Sequence, residues 1–429
     1  MNAPLPWPAP HRDTPFVGAV LVPGSKSLTN RVLILAALAD GPSVLTRPLG
    51  SRDTTLMVGA LTALGATIER DGITWTVKPS RWDLTAAITV DCGLAGTVMR
   101  FVPPLAALGK AAITFDGDAH ARVRPMGTTI ATLRDLGVEV TDDGRGALPF
   151  TVHGTGRVTG GPLEVDASSS SQFVSALLLA GARFDKGIEL QHVGAPLPSM
   201  PHIEMTVAEL RRRGVHVDTH DTDTGVTAWH VHPGPISALD VEIEPDLSNA
   251  GVFIAAALVT GGSVRIRNWP EHTDQAGDAW RVIVPAFGGT AERDGSDLVF
   301  SGGESLDGVE LDLHDVGELT PVISAIAALA AGPSRLTGVA HLRGHETDRL
   351  AALVTEINRL GGDAEELDDG LEIRPRPMHG TMFRTYDDHR MAHAAVVLGL
   401  RVRDLLVENV VTTVKTYPNF APVWERLMT

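Results

Sequence analysis

Six similar segments recur along the chain at intervals of roughly 70 residues, and such a repeat constrains the fold more than any single motif. Each segment opens with small polar residues and continues as a helix rich in alanine, leucine and valine. The six openings are Gly24-Ser25-Lys26, Ala95-Gly96-Thr97, Ser169-Ser170-Ser171-Gln172, Leu247-Ser248-Asn249, Glu318-Leu319-Thr320 and Asp387-Asp388-His389-Arg390.

A second helix follows in most copies and ends in leucine and glycine, as at Leu64-Gly65 and Leu136-Gly137. Glycine favours the left-handed conformation that ends a helix, and the alternating residues beyond it favour half-exposed strands. Each repeat is therefore predicted as strand–helix–strand–helix–strand–strand, which places the chain in the α/β (α+β) class. One repeat cannot bury two helices alone, so we expect two domains of three repeats each.

The domain boundary is predicted near residue 241. The first domain then comprises residues 24–241, and the second comprises residues 1–23 plus 242–429, with the two chain crossings acting as a pair of hinges. The strand-like segment Phe16–Val22 would supply the missing first strand of the second domain. The alternative is one continuous two-layer α/β domain in which the similar helix openings are a coincidence.

The first helix of each repeat carries little charge after its first turn, which is typical of a helix buried inside a domain. Three buried parallel helices would present their N-termini on one face of each domain. Two such faces would then border a cleft with positive potential, because helix N-termini carry partial positive charge.

The composition is that of a soluble globular protein, with 43% apolar and 21% charged residues. The proline-rich start, Met1 to Pro15, has no apolar signal core, and the single cysteine, Cys92, fits a reducing compartment, so we expect a cytoplasmic protein. The net charge of −16 argues against general binding to nucleic acid or anionic membranes. An anionic ligand must then be held by a local group of lysines and arginines.

The segment Pro23 to Arg31 has the features of an anion site at a helix start, with Ser27 or Thr29 predicted as the cap. Lys26 and Arg31 add full positive charges there. A nucleotide-binding P-loop is not expected, because Ser25 stands where a glycine should precede the lysine.

The helix openings supply most of the candidate site residues, and the same face would receive other charged groups. Arg124 could bind a carboxylate or phosphate with two hydrogen bonds, and Lys415 adds a further cation. Glu346 and Arg349 flank a helix start predicted to be capped by Thr347 or Asp348, although such a pair is often a solvated surface pair. The candidates at the openings are Lys26, Ser27, Arg31, Gly96, Thr97, Arg100, Ser170, Ser171, Gln172, Glu318 and Arg390.

Two apparent metal or nucleophile signals are given a structural interpretation. His389 and His393 have the spacing of paired ligands on a helix, but no third ligand accompanies them, so no metal is expected. Cys92 has no base nearby in the sequence and is expected to be a small core residue.

Together these motifs resemble the 5-enolpyruvylshikimate-3-phosphate (EPSP) synthase family of enolpyruvyl transferases. The resemblance covers nearly the whole chain, in the family's order, and implies two domains of three βαβαββ repeats (an inverted α/β barrel) around a cleft. The matching segments are Pro23–Arg31, Ala95-Gly96-Thr97 with Met99-Arg100, Arg124-Pro125-Met126-Gly127, Ser170-Ser171-Gln172-Phe173, Glu346-Thr347-Asp348-Arg349, Asp388-His389-Arg390-Met391-Ala392 and Lys415-Thr416-Tyr417-Pro418.

The resemblance implies transfer of the enolpyruvyl group of phosphoenolpyruvate to the 5-hydroxyl of shikimate 3-phosphate, in the shikimate pathway. It implies no metal or organic cofactor, small-molecule partners only, and a monomer. Lys26, Glu318 and Glu346 are the implied acid and base groups. The implied ligands of shikimate 3-phosphate are Lys26, Ser27, Arg31, Ser170, Ser171, Ser199, Glu318 and His345, and those of phosphoenolpyruvate are Lys26, Gly96, Arg124, Gln172, Arg349, Arg390 and Lys415.

Several positions depart from the commonest family pattern. Leu94, Phe101 and His202 replace frequent Asn, Pro and Tyr residues, while Glu318 and His345 replace frequent Asp and Lys. Retention of Gly96 implies sensitivity to glyphosate, a family inhibitor that competes with phosphoenolpyruvate.

Two other functions are considered. The related transferase that acts on UDP-N-acetylglucosamine usually carries a mobile-loop cysteine as general acid, whereas the cysteine here precedes the turn before Gly96. A noncatalytic phosphometabolite-binding protein would be expected to lack acid and base groups, yet Lys26, Glu318 and Glu346 are all present.

Overall fold

The repeats fold as six small sheets with helices between their strands. We describe a computed structural model of the chain, which covers residues 5–222 and 225–429. The chain divides into two compact units. We call Gly24–Ile243 the N-terminal unit, and we call the segment up to Pro23 together with Glu244–Thr429 the C-terminal unit.

The chain begins with two strands that precede the N-terminal unit, β1 (Trp7–Pro8) and β2 (Val17–Val20). Three repeats and one further strand then form the N-terminal unit. The first repeat contains α1 (Lys26–Leu38), β3 (Ser43–Thr46), α2 (Arg52–Ala63), β4 (Thr67–Asp71) and β5 (Thr74–Lys78). The second contains β6 (Ile88–Asp91), α3 (Gly96–Ala106), β7 (Ala112–Asp116), α4 (Gly127–Asp135), β8 (Glu139–Thr141) and β9 (Phe150–His153). The third contains β10 (Gly161–Val165), α5 (Gln172–Gly181), β11 (Ile188–His192), α6 (Met200–Arg212), β12 (Val217–Thr222) and β13 (Gly225–Val231), after which comes β14 (Val241–Glu242).

The C-terminal unit repeats this order, with short 3-10 turns before several helices. The fourth repeat contains α7 (Leu247–Thr260), β15 (Ser263–Ile266), a 3-10 turn (Ala276–Ala279), α8 (Trp280–Ala286), β16 (Thr290–Asp294) and β17 (Asp297–Ser301). The fifth contains β18 (Glu310–Asp312), a 3-10 turn (His314–Leu319), α9 (Thr320–Ala328), β19 (Ser334–Thr337), a 3-10 turn (Ala340–Gly344), α10 (Arg349–Arg359), β20 (Asp363–Glu366) and β21 (Leu371–Arg374). The sixth contains β22 (Met382–Phe383), α11 (His389–Gly399), β23 (Leu406–Val407), a 3-10 turn (Val410–Lys415) and α12 (Phe420–Met428).

The sheets share one topology. In the second repeat, β6 runs parallel to β7, β7 pairs antiparallel with β9, and β9 pairs antiparallel with β8. The third and fifth repeats have the same strand order. The predicted strand–helix–strand–helix–strand–strand order is therefore confirmed for these repeats.

Three sheets are completed by strands from elsewhere in the chain. Strand β14 runs parallel to β3 and takes the first position of the first sheet. Strand β2 runs parallel to β15 in the fourth sheet, with Val17 opposite Ser263, as predicted for residues 16–22. Strand β1 pairs antiparallel with β23. The sixth sheet thus departs from the predicted pattern within the described residues, because it has three strands and the N-terminal segment supplies one of them.

The first helix of each repeat is buried and the second is only half-buried. Every residue of α9 and α11 is buried, and so is every residue of α7 except Ser248. In α2 and α4, by contrast, about half of the residues face solvent. The predicted burial of the first helices is confirmed. Among the helices of the described residues, none has the length and apolarity needed to cross a membrane.

The junction of β2 with β15 shows how closely the N-terminal segment packs on the C-terminal unit. The amide of Phe16 donates to Thr260 Oγ1 at 2.9 Å, and the amide of Ser263 donates to the carbonyl of Phe16 at 2.7 Å. Gly262 lies against the Phe16 backbone so closely that a Cβ would clash with it. The phenyl ring of Phe16 is 1% exposed, whereas the neighbouring Val17 is 76% exposed.

Phe16→Ala is expected to lower the free energy of unfolding by about 3–5 kcal/mol, because it empties a buried aromatic site. Val17→Ala, on the exposed side of the same strand, should change it by no more than about 0.5 kcal/mol. Urea unfolding followed by tryptophan fluorescence measures both. Equal midpoints for the two variants would contradict the assignment of this segment to the core of the C-terminal unit.

Candidate functional site

In the N-terminal unit, the starts of α1, α3 and α5 touch one another. Asn30 Nδ2 donates to Thr97 Oγ1, and Arg100 Nη1 donates to Gln172 Oε1, both at 2.8 Å. The positive ends of three helices therefore lie together. The first cluster, as we call it, consists of Lys26, Ser27, Arg31, Gly96, Arg100, Arg124, Ser170, Ser171, Gln172 and Ser199.

The start of α1 differs in detail from the prediction. The cap is Ser25, whose hydroxyl accepts from the amide of Leu28 at 3.3 Å, so the prediction of Ser27 or Thr29 was wrong. The hydroxyl of Thr29 instead accepts from the amide of Leu49 at 3.1 Å. Helix α1 thus begins at Lys26, whose ammonium lies 3.6 Å from the buried carboxylate of Asp53. Lys26 keeps 21% of its side chain exposed, so its charge remains accessible to a ligand.

The buried guanidinium of Arg31, which belongs to α1, forms hydrogen bonds to residues of α5 and α6. Its guanidinium donates to Thr206 Oγ1 at 2.7 Å, to Ser175 Oγ at 3.2 Å and to the carbonyl of His202 at 2.8 Å. A further bond to the carbonyl of Ser27 at 3.1 Å fixes the turn that holds the Ser27 hydroxyl. Burial lowers the pKa of Arg31 to about 9, which Glu209 partly offsets, so Arg31 is still charged at neutral pH.

Two of the departures from the commonest family pattern lie beside Arg31. The ring of Phe101 lies 5.2 Å from the Arg31 guanidinium, and His202 contributes its backbone carbonyl to the same group. A cation over an aromatic ring gains some of the electrostatic stabilisation that burial removes. These two residues therefore support a buried charge here.

Arg100 and Arg124 enclose Gly96 at the start of α3. A Cβ on Gly96 would lie 3.2 Å from Arg100 Nη1 and 3.3 Å from Arg124 Nη1. Burial, and then the charge of Arg124, lowers the pKa of Arg100 to about 9. Arg100 also stacks 5.3 Å from the ring of Phe173, and its Nε finds no hydrogen-bond partner within the described residues. Two adjacent guanidiniums at a helix N-terminus strongly favour an anion.

The predicted serines stand at the starts of α5 and α6. Ser170 Oγ accepts from the amide of Gln172 at 3.3 Å, and the buried Ser171 is the residue before α5. Ser199 precedes α6 in a left-handed conformation with φ of 58°, which is strained for serine. Its carbonyl accepts from the amide of His202 at 3.1 Å, so it lies within one turn of the Arg31 contact.

In the C-terminal unit, the starts of α7, α9 and α11 are also joined. Arg390 Nη1 donates to the carbonyl of Ser248 at 3.2 Å, and Ser248 Oγ donates to Glu318 Oε1 at 3.3 Å. Burial lowers the pKa of Arg390, while Asp246 and Glu318 oppose that shift. The second cluster, as we call it, consists of Ser248, Glu318, His345, Glu346, Arg349, Asp388, His389, Arg390 and Lys415.

Arg349 and Asp388 form a buried bidentate pair. Arg349 Nε donates to Asp388 Oδ2 at 2.8 Å, and Arg349 Nη2 donates to Asp388 Oδ1 at 3.1 Å. Burial works to lower the pKa of Arg349, but Asp388, with Glu346 and Glu318, outweighs it and raises that pKa. His345 Nδ1 lies 3.3 Å from Arg349 Nη1 and accepts from it, since a guanidinium can only donate. Helix α10 begins at Arg349 with Asp348 as its cap, one of the two predicted caps.

Glu346 is held ionised by cations on both sides. Lys415 Nζ donates to Glu346 Oε1 at 2.6 Å, and His389 Nδ1 lies 3.2 Å from Glu346 Oε2. Burial acts to raise the pKa of Glu346, but Lys415, His389 and Arg349 together place it well below the ordinary value. Glu346 is therefore an ionised carboxylate directly beside the ammonium of Lys415, which places a proton acceptor and a proton donor side by side.

The structure supports the interpretation of Cys92 as a core residue. It also shows that His389 lies beside two carboxylates, which the sequence did not indicate. Cys92 is fully buried, and burial raises its thiol pKa, so it is no nucleophile. Ligand atoms of His389, Glu346 and Asp388 lie within 4.8 Å of one another, yet Lys415 and Arg349 already neutralise the two carboxylates, which disfavours a divalent ion. His393 is fully buried, and burial holds its pKa well below the ordinary range.

Sequence reasoning missed the carboxylates that pair with the cations. Asp53 faces Lys26 from the start of α2, and Asp388 faces Arg349 from the start of α11. Asp388 also caps α11 by accepting from the amide of Arg390 at 2.8 Å, and this capping position was the available signal. The remaining predicted residues are divided between the two clusters, except Thr97, whose hydroxyl accepts from Asn30 Nδ2. The prediction that the clusters border one cleft stays a prediction.

The sequence comparisons with known proteins all indicate the same family. A family model described as EPSP synthase (3-phosphoshikimate 1-carboxyvinyltransferase) matches residues 11–424. A 3-phosphoshikimate 1-carboxyvinyltransferase of Kocuria rhizophila is 55% identical over 433 residues, covering 98% of this chain and 96% of that protein.

Solved structures show the same fold. An EPSP synthase from Acinetobacter baumannii aligns with a TM-score of 0.79 and 23% identity, covering 98% of this chain and 97% of that one. The enolpyruvyl transferase NikO from Streptomyces tendae aligns with a TM-score of 0.75 and 18% identity, covering 97% and 96%. At these identities the likeness concerns the fold alone.

Glu346→Gln is expected to lower the free energy of unfolding by about 3–5 kcal/mol at pH 7, because it leaves Lys415 with a neutral partner in a buried site. The folded-state pKa of Glu346 lies below its ordinary value of 4.5, so its contribution is fully present above pH 4.5 and is lost as the pH falls further. The difference between wild type and variant should therefore shrink below pH 4.5.

Urea midpoints measured from pH 7 to pH 3.5 test this expectation, with the exposed Glu304→Gln as the control. A gap between wild type and Glu346→Gln that stays constant down to pH 3.5 would show that the carboxylate is not held ionised by its neighbours.

Proposed function

The chain belongs to the EPSP synthase family, and from this premise we propose how its two clusters divide the work of the reaction. It transfers the enolpyruvyl group of phosphoenolpyruvate to the 5-hydroxyl of shikimate 3-phosphate and releases phosphate, a step of the shikimate pathway. The observation that carries the proposal is the pair of guanidiniums, Arg100 and Arg124, that encloses Gly96 at the start of α3.

Charge balance supports an assignment of the cations to phosphoenolpyruvate. The two substrates together bring two phosphates and two carboxylates, and removing such groups from water requires several charged partners. Gly96 leaves space beside two guanidiniums, where any side chain would intrude. The proposed groups are Lys26, Gly96, Arg124 and Gln172 from the first cluster and Arg349, Arg390 and Lys415 from the second, and Arg100 joins them because it donates to Gln172.

Shikimate 3-phosphate is assigned mainly to hydroxyl groups at helix starts. Arg31 is committed to protein acceptors, so it acts chiefly by fixing the turn of Ser27 and by adding positive charge. His345 Nδ1 accepts from Arg349, so the ring proton stands on Nε2, and an Nε2–H group is a suitable donor to a phosphate oxygen. The proposed groups are Lys26, Ser27, Arg31, Ser170, Ser171, Ser199, Glu318 and His345.

The reaction requires three proton transfers at two atoms, the 5-hydroxyl oxygen and C3 of phosphoenolpyruvate. In addition, the 5-hydroxyl oxygen bonds to C2 of phosphoenolpyruvate, C3 gains a proton, and the hydroxyl loses one. In elimination, the new methyl group loses a proton and the bond from C2 to the phosphate oxygen breaks. We assign the hydroxyl proton to Glu318. The Glu346–Lys415 pair is assigned to C3: the Lys415 ammonium gives the proton in addition, and the Glu346 carboxylate takes one from the methyl group in elimination. Lys26 is assigned to the developing charge on the leaving phosphate.

Two further expectations stay predictions. These are the monomeric state and the action of the chain crossings near residues 23 and 243 as hinges. Enzymes that act on UDP-N-acetylglucosamine usually use a cysteine as general acid. Cys92 does not fit that role, because it is fully buried and burial raises the pKa of its thiol.

Phosphate release from phosphoenolpyruvate is expected only when shikimate 3-phosphate is the acceptor, and Lys26→Met should slow it by about 10² or more, since a positioned charged group is removed. The exposed Lys186→Met serves as the matched control and should keep wild-type rates. Release that needs UDP-N-acetylglucosamine instead would move the chain to the related transferase. Binding of both phosphates without release would favour a noncatalytic protein.

Gly96→Ala is expected to raise the KM for phosphoenolpyruvate by about tenfold, a cost of about 1.4 kcal/mol, and to leave the KM for shikimate 3-phosphate unchanged. The added methyl would lie 3.2–3.4 Å from the guanidinium nitrogens of Arg100 and Arg124, so these flexible groups must shift. Gly59→Ala, which meets nothing within 4 Å in the middle of α2, is the control. Unchanged steady-state kinetics in Gly96→Ala would remove the α3 start from the phosphoenolpyruvate site.

A further inference from the structure

The sheet of the third repeat has an outer face crowded with histidines. Val217 of β12 and Trp229 and Val231 of β13 are 3%, 2% and 0% exposed, so these residues face the core. Because successive side chains in a strand alternate between faces, the residues between them point outward. The outward residues are His216, Asp218 and His220 along one strand and His230 and His232 along the other.

Strand pairing brings four of these side chains into contact. Asp218 is directly opposite His230, and the amide of His232 donates to the carbonyl of His216 at 3.0 Å. The imidazoles of His216 and His232 stack with centroids 4.4 Å apart, and those of His230 and His232 lie 3.9 Å apart.

The carboxylate of Asp218 is the centre of the group. His232 Nε2 lies 2.7 Å from Asp218 Oδ2, His216 Nε2 lies 3.2 Å from Oδ1, and His230 Nδ1 lies 4.0 Å from Oδ2. Three ring nitrogens therefore converge on one carboxylate at a partly exposed surface, where an ion from solution can reach them.

We propose that His216, Asp218, His230 and His232 form a binding site for one divalent transition-metal ion, with Zn²⁺ as the reference ion. Imidazole and carboxylate are ligands that Zn²⁺ takes readily. Zinc ligands lie about 2.0–2.1 Å from the ion, which in a tetrahedral site separates neighbouring ligand atoms by roughly 3.3–3.4 Å. The nitrogen–oxygen distances for His232 and His216 are 2.7 and 3.2 Å, and the ligand atoms of His216, Asp218 and His232 all lie within 4.8 Å of one another. His230, at 4.0 Å from the carboxylate, would move towards the ion by a rotamer shift.

The alternative is a hydrogen-bonded group of histidines with no ion. A single carboxylate offers only one negative charge, whereas three protonated imidazoles at stacking distance would repel one another. Neutral imidazoles around a divalent ion avoid that repulsion. Glu189 of β11 lies directly opposite His230 on the neighbouring strand and adds negative charge to the same face. These features favour the ion over a simple charged surface patch.

Such an ion would cross-link β12 and β13, since two of its ligands lie on each side of the hairpin. None of the four ligands belongs to either helix-start cluster. The site is therefore independent of the transferase reaction, and metal binding should leave the steady-state kinetics unchanged.

The test uses the full chain without an affinity tag, first stripped of metal with a chelator. Calorimetric titration with Zn²⁺ at neutral pH is expected to show one ion per chain, and Co²⁺ should give the absorption bands of a tetrahedral site. Affinity should fall at least tenfold in His216→Ala/His232→Ala and in Asp218→Asn. It should also fall as the pH drops, because ligating imidazoles must be neutral.

His153→Ala is the matched control, since it removes a histidine from the last strand of the second sheet. Wild-type transferase activity in every variant verifies that the fold is intact. Equal Zn²⁺ affinity in the wild type and the double variant would overturn the proposal. Absence of one-to-one binding to the wild type would overturn it as well.

Discussion

Buried arginines at the helix starts hold each unit together, and the rest of the site depends on them. Burying a guanidinium is costly unless most of its donors are matched, because an unpaired charge in a dry interior is unfavourable. Arg31 meets this requirement with neutral oxygens from two neighbouring helices, α5 and α6, and Arg349 meets it with both oxygens of Asp388. The helices cannot slide past one another without breaking these bonds. The same bonds therefore fix where the helix N-termini and their partial charges lie.

This arrangement explains how a chain with a net charge of −16 can bind anions. Its acidic residues are largely spread over the outer strands and helices, whereas the cations of the site are concentrated at helix starts. Lys26, Arg100 and Arg124 are held near the helix starts, and positioned charges of this kind limit the reorganisation needed when negative charge develops. The electrostatic effect is local and does not require a basic protein.

The sequence allowed the repeat, the buried first helices and the β2 pairing to be predicted, because each rests on a local pattern. Glycine after leucine marks helix ends, and alternation marks strands. The predicted cap of α1 was wrong because Ser25, Ser27 and Thr29 can all cap a helix, and tertiary packing decides between them. The hydroxyl of Thr29, for example, accepts a hydrogen bond from the amide of Leu49. Asp53 and the role of β1 could not be predicted, since both depend on partners far away in sequence. The alternation of histidines around Val217 and Val231 was visible, but its convergence on Asp218 required the strand register.

The two clusters differ in charge balance, and this difference bears on the division of the chemistry. The first contains Lys26, Arg31, Arg100 and Arg124, with Asp53 and Glu209 as the carboxylates that act on them. The second matches Arg349, Arg390 and Lys415 with Glu318, Glu346 and Asp388. An excess of cations suits binding of phosphate and carboxylate groups, whereas paired acids and bases suit proton transfer. We infer that substitutions at Arg100 and Arg124 chiefly change KM, and that substitutions at Lys26, Glu318 and Glu346 chiefly change kcat. On this proposal, the charge balance of each cluster decides whether its residues serve mainly to bind the substrates or to move protons.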